Sequence, residues 1–281
     1  MGERSNYWMR KSSFCNHHIA AEIADVKLQK VFAKLLIDRT KTIARLLYNL
    51  FQILESPMKK IMLSLVSFFA VTIVAHATET VIPLSSRYAL LNSPSGTPGA
   101  GLVLITGGDG YLGIQQNGSL RSEKNWIVWT RRMYAKTGVA SLLIDQGTSA
   151  NEAVETLKAR GVKNVYIVGM SRGCLRAMDG LSSGIAGIVL VSCHMDQIQS
   201  RFRSLDRIPR KTLVIHHRQD RCRGTAPYKA EEFAQWAGNR ARIKWMTGGV
   251  DAGDPCQADG HHGHKGIEGE VVSQIVRFVR N

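Results

Sequence analysis

The chain has 281 residues, 44% of them hydrophobic and 21% charged, which is ordinary globular composition and enough for one sizeable core. Its formal charge of +15 invites a nucleic-acid reading. The distribution argues against that reading: +9 of the charge lies from Thr78 onward (26 Lys/Arg against 17 Asp/Glu), with no basic run interleaved with aromatics and no zinc-finger spacing. A scattered basic surface speaks to solubility and nonspecific contacts.

Taken in chain order, residues 1–57 carry no readable motif; Arg10-Lys11 and His17-His18 have no metal-ligand spacing around them. Val31, Leu35 and Leu36 give residues 19–54 some helical periodicity. Met58-Lys59-Lys60 then leads into an apolar run over 61–75 that ends in Ala75-His76-Ala77. This is the pattern of a signal peptide over 58–77, with a basic start, an apolar middle and an A-x-A cleavage site. The run is shorter than the ~20 residues of a transmembrane helix, the competing readings being a buried helix or a single anchor. No Cys follows it, so a lipoprotein anchor is not supported. A signal peptide belongs at a start, so the pattern predicts translation from Met58, with 1–57 an over-extended N-terminus outside the fold. A real helical extension is the alternative. Cleavage after Ala77 would leave a single domain over 78–281, working in the periplasm or outside the cell. Four cysteines remain there, Cys174, Cys193, Cys222 and Cys256, an even number for an oxidising compartment.

Residues 78–100 read as one or two edge strands and a turn-rich stretch. Buried apolar runs then alternate with helical patterns. Strands are expected at 101–106, 139–144, 165–168, 185–191, 211–216 and 242–246, and helices at 125–136, 151–160, 171–181, 226–237 and 266–280. Short Val/Ile/Leu runs alternating with helices predict βαβ units around a mostly parallel sheet, hence an α/β three-layer αβα sandwich. No insertion is long enough for a lid domain.

Gly169-Met170-Ser171-Arg172-Gly173 joins a predicted strand to a predicted helix. A G-x-S-x-G turn is sharp, its glycines let backbone pass closely, and its serine is held exposed at a helix N-terminus. Ser171 is therefore the candidate nucleophile. An acid should follow it: Asp220 sits just past the strand that ends in His216-His217, where sites form at the carboxyl ends of parallel strands. Asp206, Asp251 and Asp254 are weaker candidates. A base should lie before the last helix, where His261, His262 and His264 stand; His262 is preferred, with His264 and His261 behind it. Their spacing lacks a second ligand cluster, so no metal is expected. An oxyanion hole needs two backbone donors. The N–H of Arg172 is one candidate. The other is the N–H of Gly108, in the loop Gly107-Gly108-Asp109-Gly110 after the first buried strand.

Together the Gly107–Gly110 loop, the serine pentapeptide, the strand ending in His216-His217-Arg218-Gln219-Asp220 and the stretch from His261 to Glu268 resemble the α/β-hydrolase superfamily over essentially all of 100–281. More narrowly the chain resembles small exported bacterial serine hydrolases. Their pattern is HHxxDxC, then a DPC segment, then HG-aromatic-xGIE. There the catalytic histidine precedes a glycine, which maps onto His262; His264 stands where an aromatic residue is usual. The resemblance implies a minimal α/β-hydrolase fold without lid, and a Cys222–Cys256 disulfide. Such a bridge would tie the acid loop to the base loop and preorganise both. Cys174 and Cys193 are expected as buried free thiols.

The combined expectation is a monomeric serine hydrolase that cleaves an ester or related acyl bond of a small-molecule substrate. It would need no cofactor, bind no nucleic acid, and keep no stable membrane association once its leader is removed. Arg172, Arg218, Arg221 and Arg223 hint at an anionic substrate group, or serve as structural ion pairs. A peptidase or thioesterase would use the same residues, since a fold does not fix a function. A periplasmic binding protein keeping this fold is the non-catalytic alternative.

Overall fold

The computed structural model describes residues 77–281 together with Arg45. The expectations for 1–57 and for the signal peptide, its last residue apart, lie outside the described residues. Among the described residues no helix is long and apolar enough to cross a membrane.

The described part of the chain opens with an antiparallel pair, β1 (Thr78–Pro83) and β2 (Tyr88–Ser93). Six further strands follow: β3 (Ala100–Ile105), β4 (Val139–Ile144), β5 (Asn164–Met170), β6 (Gly187–Val191), β7 (Thr212–His217) and β8 (Ala241–Met246). They form one eight-stranded sheet in the order β1-β2-β4-β3-β5-β6-β7-β8. β2 runs antiparallel to β4, and every pairing from β4 through β8 is parallel. β3, β4 and β6 are buried at every residue, as strands covered on both faces must be.

Among the described residues, six α-helices cover the sheet. α1 (Trp126–Ala135) and α6 (Glu268–Arg280) pack on one face through Trp126, Ile127, Tyr134, Val271, Val272 and Ile275. α2 (Ala150–Ala159), α3 (Gly173–Ala177), α4 (Met195–Phe202) and α5 (Pro227–Ala237) cover the other through Val154, Leu157, Cys174, Ile198, Phe202 and Phe233. This is the expected three-layer αβα sandwich. α1 starts where the Asn125 side chain accepts the Ile127 N–H at 3.0 Å, and α2 starts at the cap Ser149. α2 buries Ala150, Ala153, Val154 and Leu157, the i, i+3, i+4, i+7 stripe of an amphipathic helix. Pro227 opens α5, where its missing N–H costs nothing.

Two elements differ from expectation. The helix predicted over 171–181 is α only from Gly173 to Ala177 and continues as a 3-10 turn, Met178–Ser183. Gly180 supplies the reason: a side chain there would run into Ile167 of β5 and Ala150 of α2, so the segment is drawn in tightly against the sheet. α4 was not expected, although its buried residues Met195, Ile198 and Phe202 fall at i, i+3 and i+7.

Candidate active site

Ser171 stands between β5 and α3 with φ of 51°, left-handed backbone that a non-glycine residue adopts only at a cost of about 1–3 kcal/mol. Its neighbours hold it there. The Ser171 N–H donates to the Val191 carbonyl at 2.9 Å, and its own carbonyl accepts the Cys174 N–H at 3.1 Å. A Cβ on Gly169 would lie 2.7 Å from the Cys174 Cα, and one on Gly173 would lie 2.7 Å from the Ile105 carbonyl oxygen. Both glycines are therefore required by close backbone approach, and the side chain between them is turned toward a cavity of about 210 Å³. Ser171, His262, Gly107, Gly108, Asn125 and Gln257 all line that cavity.

The candidate acid and base come from loops that follow β7 and β8. His262 Nδ1 lies 2.9 Å from Asp220 Oδ2, and both side chains are buried. With Nδ1–H turned to the carboxylate, Nε2 is the ring nitrogen left for the cavity. The Asp220 Oδ1 accepts the Cys222 N–H at 2.9 Å, and its Oδ2 also accepts the Thr225 hydroxyl at 2.9 Å. Burial pushes the Asp220 carboxyl up. The hydrogen bond and charge of His262, the Cys222 N–H and the nearby His216 outweigh that and hold it below its ordinary value. Ser171 Oγ makes no hydrogen bond to His262; such contacts commonly tighten only around a bound substrate.

The other two histidines do not meet Asp220. His261 stacks on His217 at 4.1 Å between ring centroids, and its Nδ1 lies 3.3 Å from the Gln219 carbonyl. His264 is fully buried, with Nε2 3.1 Å from the Ser192 hydroxyl and Nδ1 without a partner. Burial, together with His216, His217 and His262, depresses His264 to about 3. The weaker acid candidates are occupied elsewhere or remote: Asp251 pairs with Arg221 at 2.7 Å, Asp254 caps the Cys256 N–H, and Asp206 is exposed. Arg218 lies over the Trp245 ring at 4.8 Å. Arg218 and Arg221 are thus committed to structural partners.

The candidate oxyanion donors flank the same cavity. Arg172 caps the N-terminus of α3, and Gly108 sits with φ of 61° in the loop after β3. Neither N–H donates a backbone hydrogen bond among the described residues. Beyond them the loop is pinned by Asp145, whose carboxylate accepts the Leu112 N–H at 2.6 Å and the Ile114 N–H at 3.0 Å.

Two disulfides lie at this end of the sheet. Cys222–Cys256 joins the acid loop to the segment before His262, with Cα atoms 4.7 Å apart. Cys174–Cys193 overturns the expectation of two free thiols. Burial was right, since both are fully buried, but burial is silent about pairing. Cys174 opens the helix after β5 and Cys193 follows the adjacent β6, and their Cα atoms stand 5.9 Å apart, within bridging range.

Sequence reasoning missed Thr225, which touches both Asp220 and His262, and His216, whose Nε2 lies 2.7 Å from the Thr225 carbonyl and 3.5 Å from Asp220. The pair His216-His217 marked a strand end, and both rings are buried, but nothing in it signalled which of them approaches Asp220.

No family model matches the chain, and no curated protein matches it. Solved structures do. The fold is similar to that of an α/β serine hydrolase without lid from Xanthomonas campestris, at 12% identity and TM-score 0.51, covering 73% of this chain and 96% of that one. It is similar to an esterase domain of a Rhodothermus marinus protein, at 13% identity and TM-score 0.51, covering 73% and 99%. It is also similar to an esterase of Pyrobaculum calidifontis, at 16% identity and TM-score 0.51, covering 85% and 97%. The chain has the α/β-hydrolase fold in its form without a lid.

Proposed function

We propose that this chain is a serine hydrolase that cleaves an ester or related acyl bond through Ser171, His262 and Asp220. The observation that carries the reading is the buried His262–Asp220 pair, 2.9 Å apart, on a cavity that Ser171 also lines from a left-handed turn. In this reading Ser171 Oγ attacks the acyl carbon while His262 Nε2 takes its proton. Asp220 stays ionised, fixes the ring tautomer and stabilises the imidazolium. The N–H groups of Arg172 and Gly108 meet the negative charge on the former carbonyl oxygen. The bond to the leaving alcohol breaks as His262 returns the proton, giving an acyl-enzyme. Water, activated by His262 in turn, releases the acid and restores Ser171.

A cavity of about 210 Å³ without a covering lid supports a small, soluble acyl substrate. Two disulfides among the described cysteines support work in an oxidising compartment, periplasmic or extracellular.

A fluorophosphonate probe tests the reading. Wild type should be labelled on Ser171 and should hydrolyse short p-nitrophenyl esters, and Ser171→Ala should do neither. Absence of labelling in the wild type, or equal labelling of the variant, would end the proposal. A panel of ester, thioester and peptide substrates then separates acyl chemistries that share these residues.

A further inference from the structure

We infer that Arg176 is a positioning residue that sets the oxyanion loop against the nucleophile. The inference rests on the serine hydrolase reading above. Arg176 lies on α3, five residues after Ser171, and its guanidinium reaches back under the loop that follows β3. There it donates to the carbonyl of Thr106, to that of Asp109 at 3.0 Å, and more distantly to that of Gly108 at 3.5 Å. The space it fills is the one that a side chain on Gly110 would need, so Gly110, with φ of 80°, admits the guanidinium.

These contacts fix peptide planes as well as positions. In a trans peptide the carbonyl of one residue and the N–H of the next point in opposite directions. The Thr106 carbonyl turned onto Arg176 sends the Gly107 N–H away from it, and the Gly108 carbonyl does the same for the Asp109 N–H. The Gly107–Gly108 peptide between them has no carbonyl contact with Arg176. It is the one peptide of the run held by its neighbours on both sides, and it carries the Gly108 N–H. A Cβ on Gly107 would lie 3.1 Å from the Ser171 Cβ, so this peptide borders the nucleophile. One side chain thus couples the helix that carries Ser171 to the loop that carries the second oxyanion donor. A planar fork with five donors suits such a task, and an ammonium cannot reproduce it.

The test compares Arg176→Ala and Arg176→Lys with wild type on p-nitrophenyl acetate, alongside fluorophosphonate labelling and thermal melting. Loss of one oxyanion donor costs about 10²–10³ in kcat. Mispositioning that donor through Arg176→Ala should lower kcat about 10- to 100-fold with KM changed less than about threefold, and Arg176→Lys should fall between. Millimolar guanidinium should restore part of the Arg176→Ala rate without raising its melting temperature. Wild-type-like kcat in Arg176→Ala would overturn the inference. So would a loss that tracks melting temperature and is not relieved by guanidinium. Where Arg176→Ala does not fold, Arg176→Lys is read by the same kcat and KM criteria. Should wild type itself escape fluorophosphonate, the underlying reading fails instead, and the two failures are told apart.

Discussion

The elbow at Ser171, the proposed nucleophile, and the acid–base corner proposed at Asp220 and His262 each carry a disulfide, yet they are held in place differently. At the elbow, Cys174 and Cys193 are fully buried, and Ser171 is set by backbone packed against backbone at Gly169 and Gly173. In the acid–base corner Cys222 is buried but Cys256 is exposed, and the geometry is a chain of hydrogen bonds through Asp220, Thr225, His262 and His216. No proton changes a steric fit, whereas every link of that chain depends on which groups are protonated. Reductant and acid should therefore reach the acid–base corner before the elbow.

Within that corner the sharpest contrast is between His262 and His264, two residues apart. His262→Ala should lower kcat about 10⁴- to 10⁶-fold, as loss of a catalytic base does. His264→Asn should leave kcat within about tenfold, since the ring faces Ser192 and not Asp220. Asn tolerates the left-handed backbone found there, φ of 54°. Hydrolysis of p-nitrophenyl acetate by the two variants checks this. Equal losses would break the distinction between them.

The disulfides extend the comparison. Removing Cys222–Cys256, which closes a span of 34 residues, should cost about 3–4 kcal/mol on the chain-entropy account. Mild reductant on the folded protein should expose two thiols, not four, because one bridge has an exposed sulfur residue and the other has none. Mass spectrometry of alkylated peptides reads the count. Release of Cys174 and Cys193 first would reverse the ranking of the two corners.

How far the sequence reached follows the same line. Strands buried on both faces were legible as unbroken apolar runs, and Ser171 was legible because its two glycines answer a local steric demand. Asp220 was legible from chain order and strand ends. Among three neighbouring histidines the sequence already favoured His262, through the glycine after it in the resembled pattern, and the contact from Asp220 to its Nδ1 is the one the structure adds. Thr225, Arg176 and the Cys174–Cys193 pair were not legible for a common reason: the partner of each lies on a different segment. α4 is a different kind of miss. Its apolar spacing was present, but only three of its residues face the core and the segment is short.

The smallest effect concerns acid. His264 is depressed to about 3 from an ordinary 6.5, chiefly by burial. The fold thus prefers its neutral form, and the unfolded chain binds a proton more readily. The resulting stability is complete above pH 6.5 and is lost progressively as pH falls toward 3. At pH 5 the loss from this one ring is about 2 kcal/mol. For a domain of this size that is roughly 4–8 °C of melting temperature. His216 and His217, both depressed chiefly by burial, act in the same direction. Asp220, held below its ordinary value, adds a loss only at lower pH. Melting wild type and His264→Asn at pH 7.5 and pH 5 separates these contributions. The variant's gap should be smaller than the wild-type gap by roughly the 4–8 °C assigned to His264. An unchanged gap would mean that the acid sensitivity of this corner lies in the other histidines, and that His264 is accommodated in its charged form.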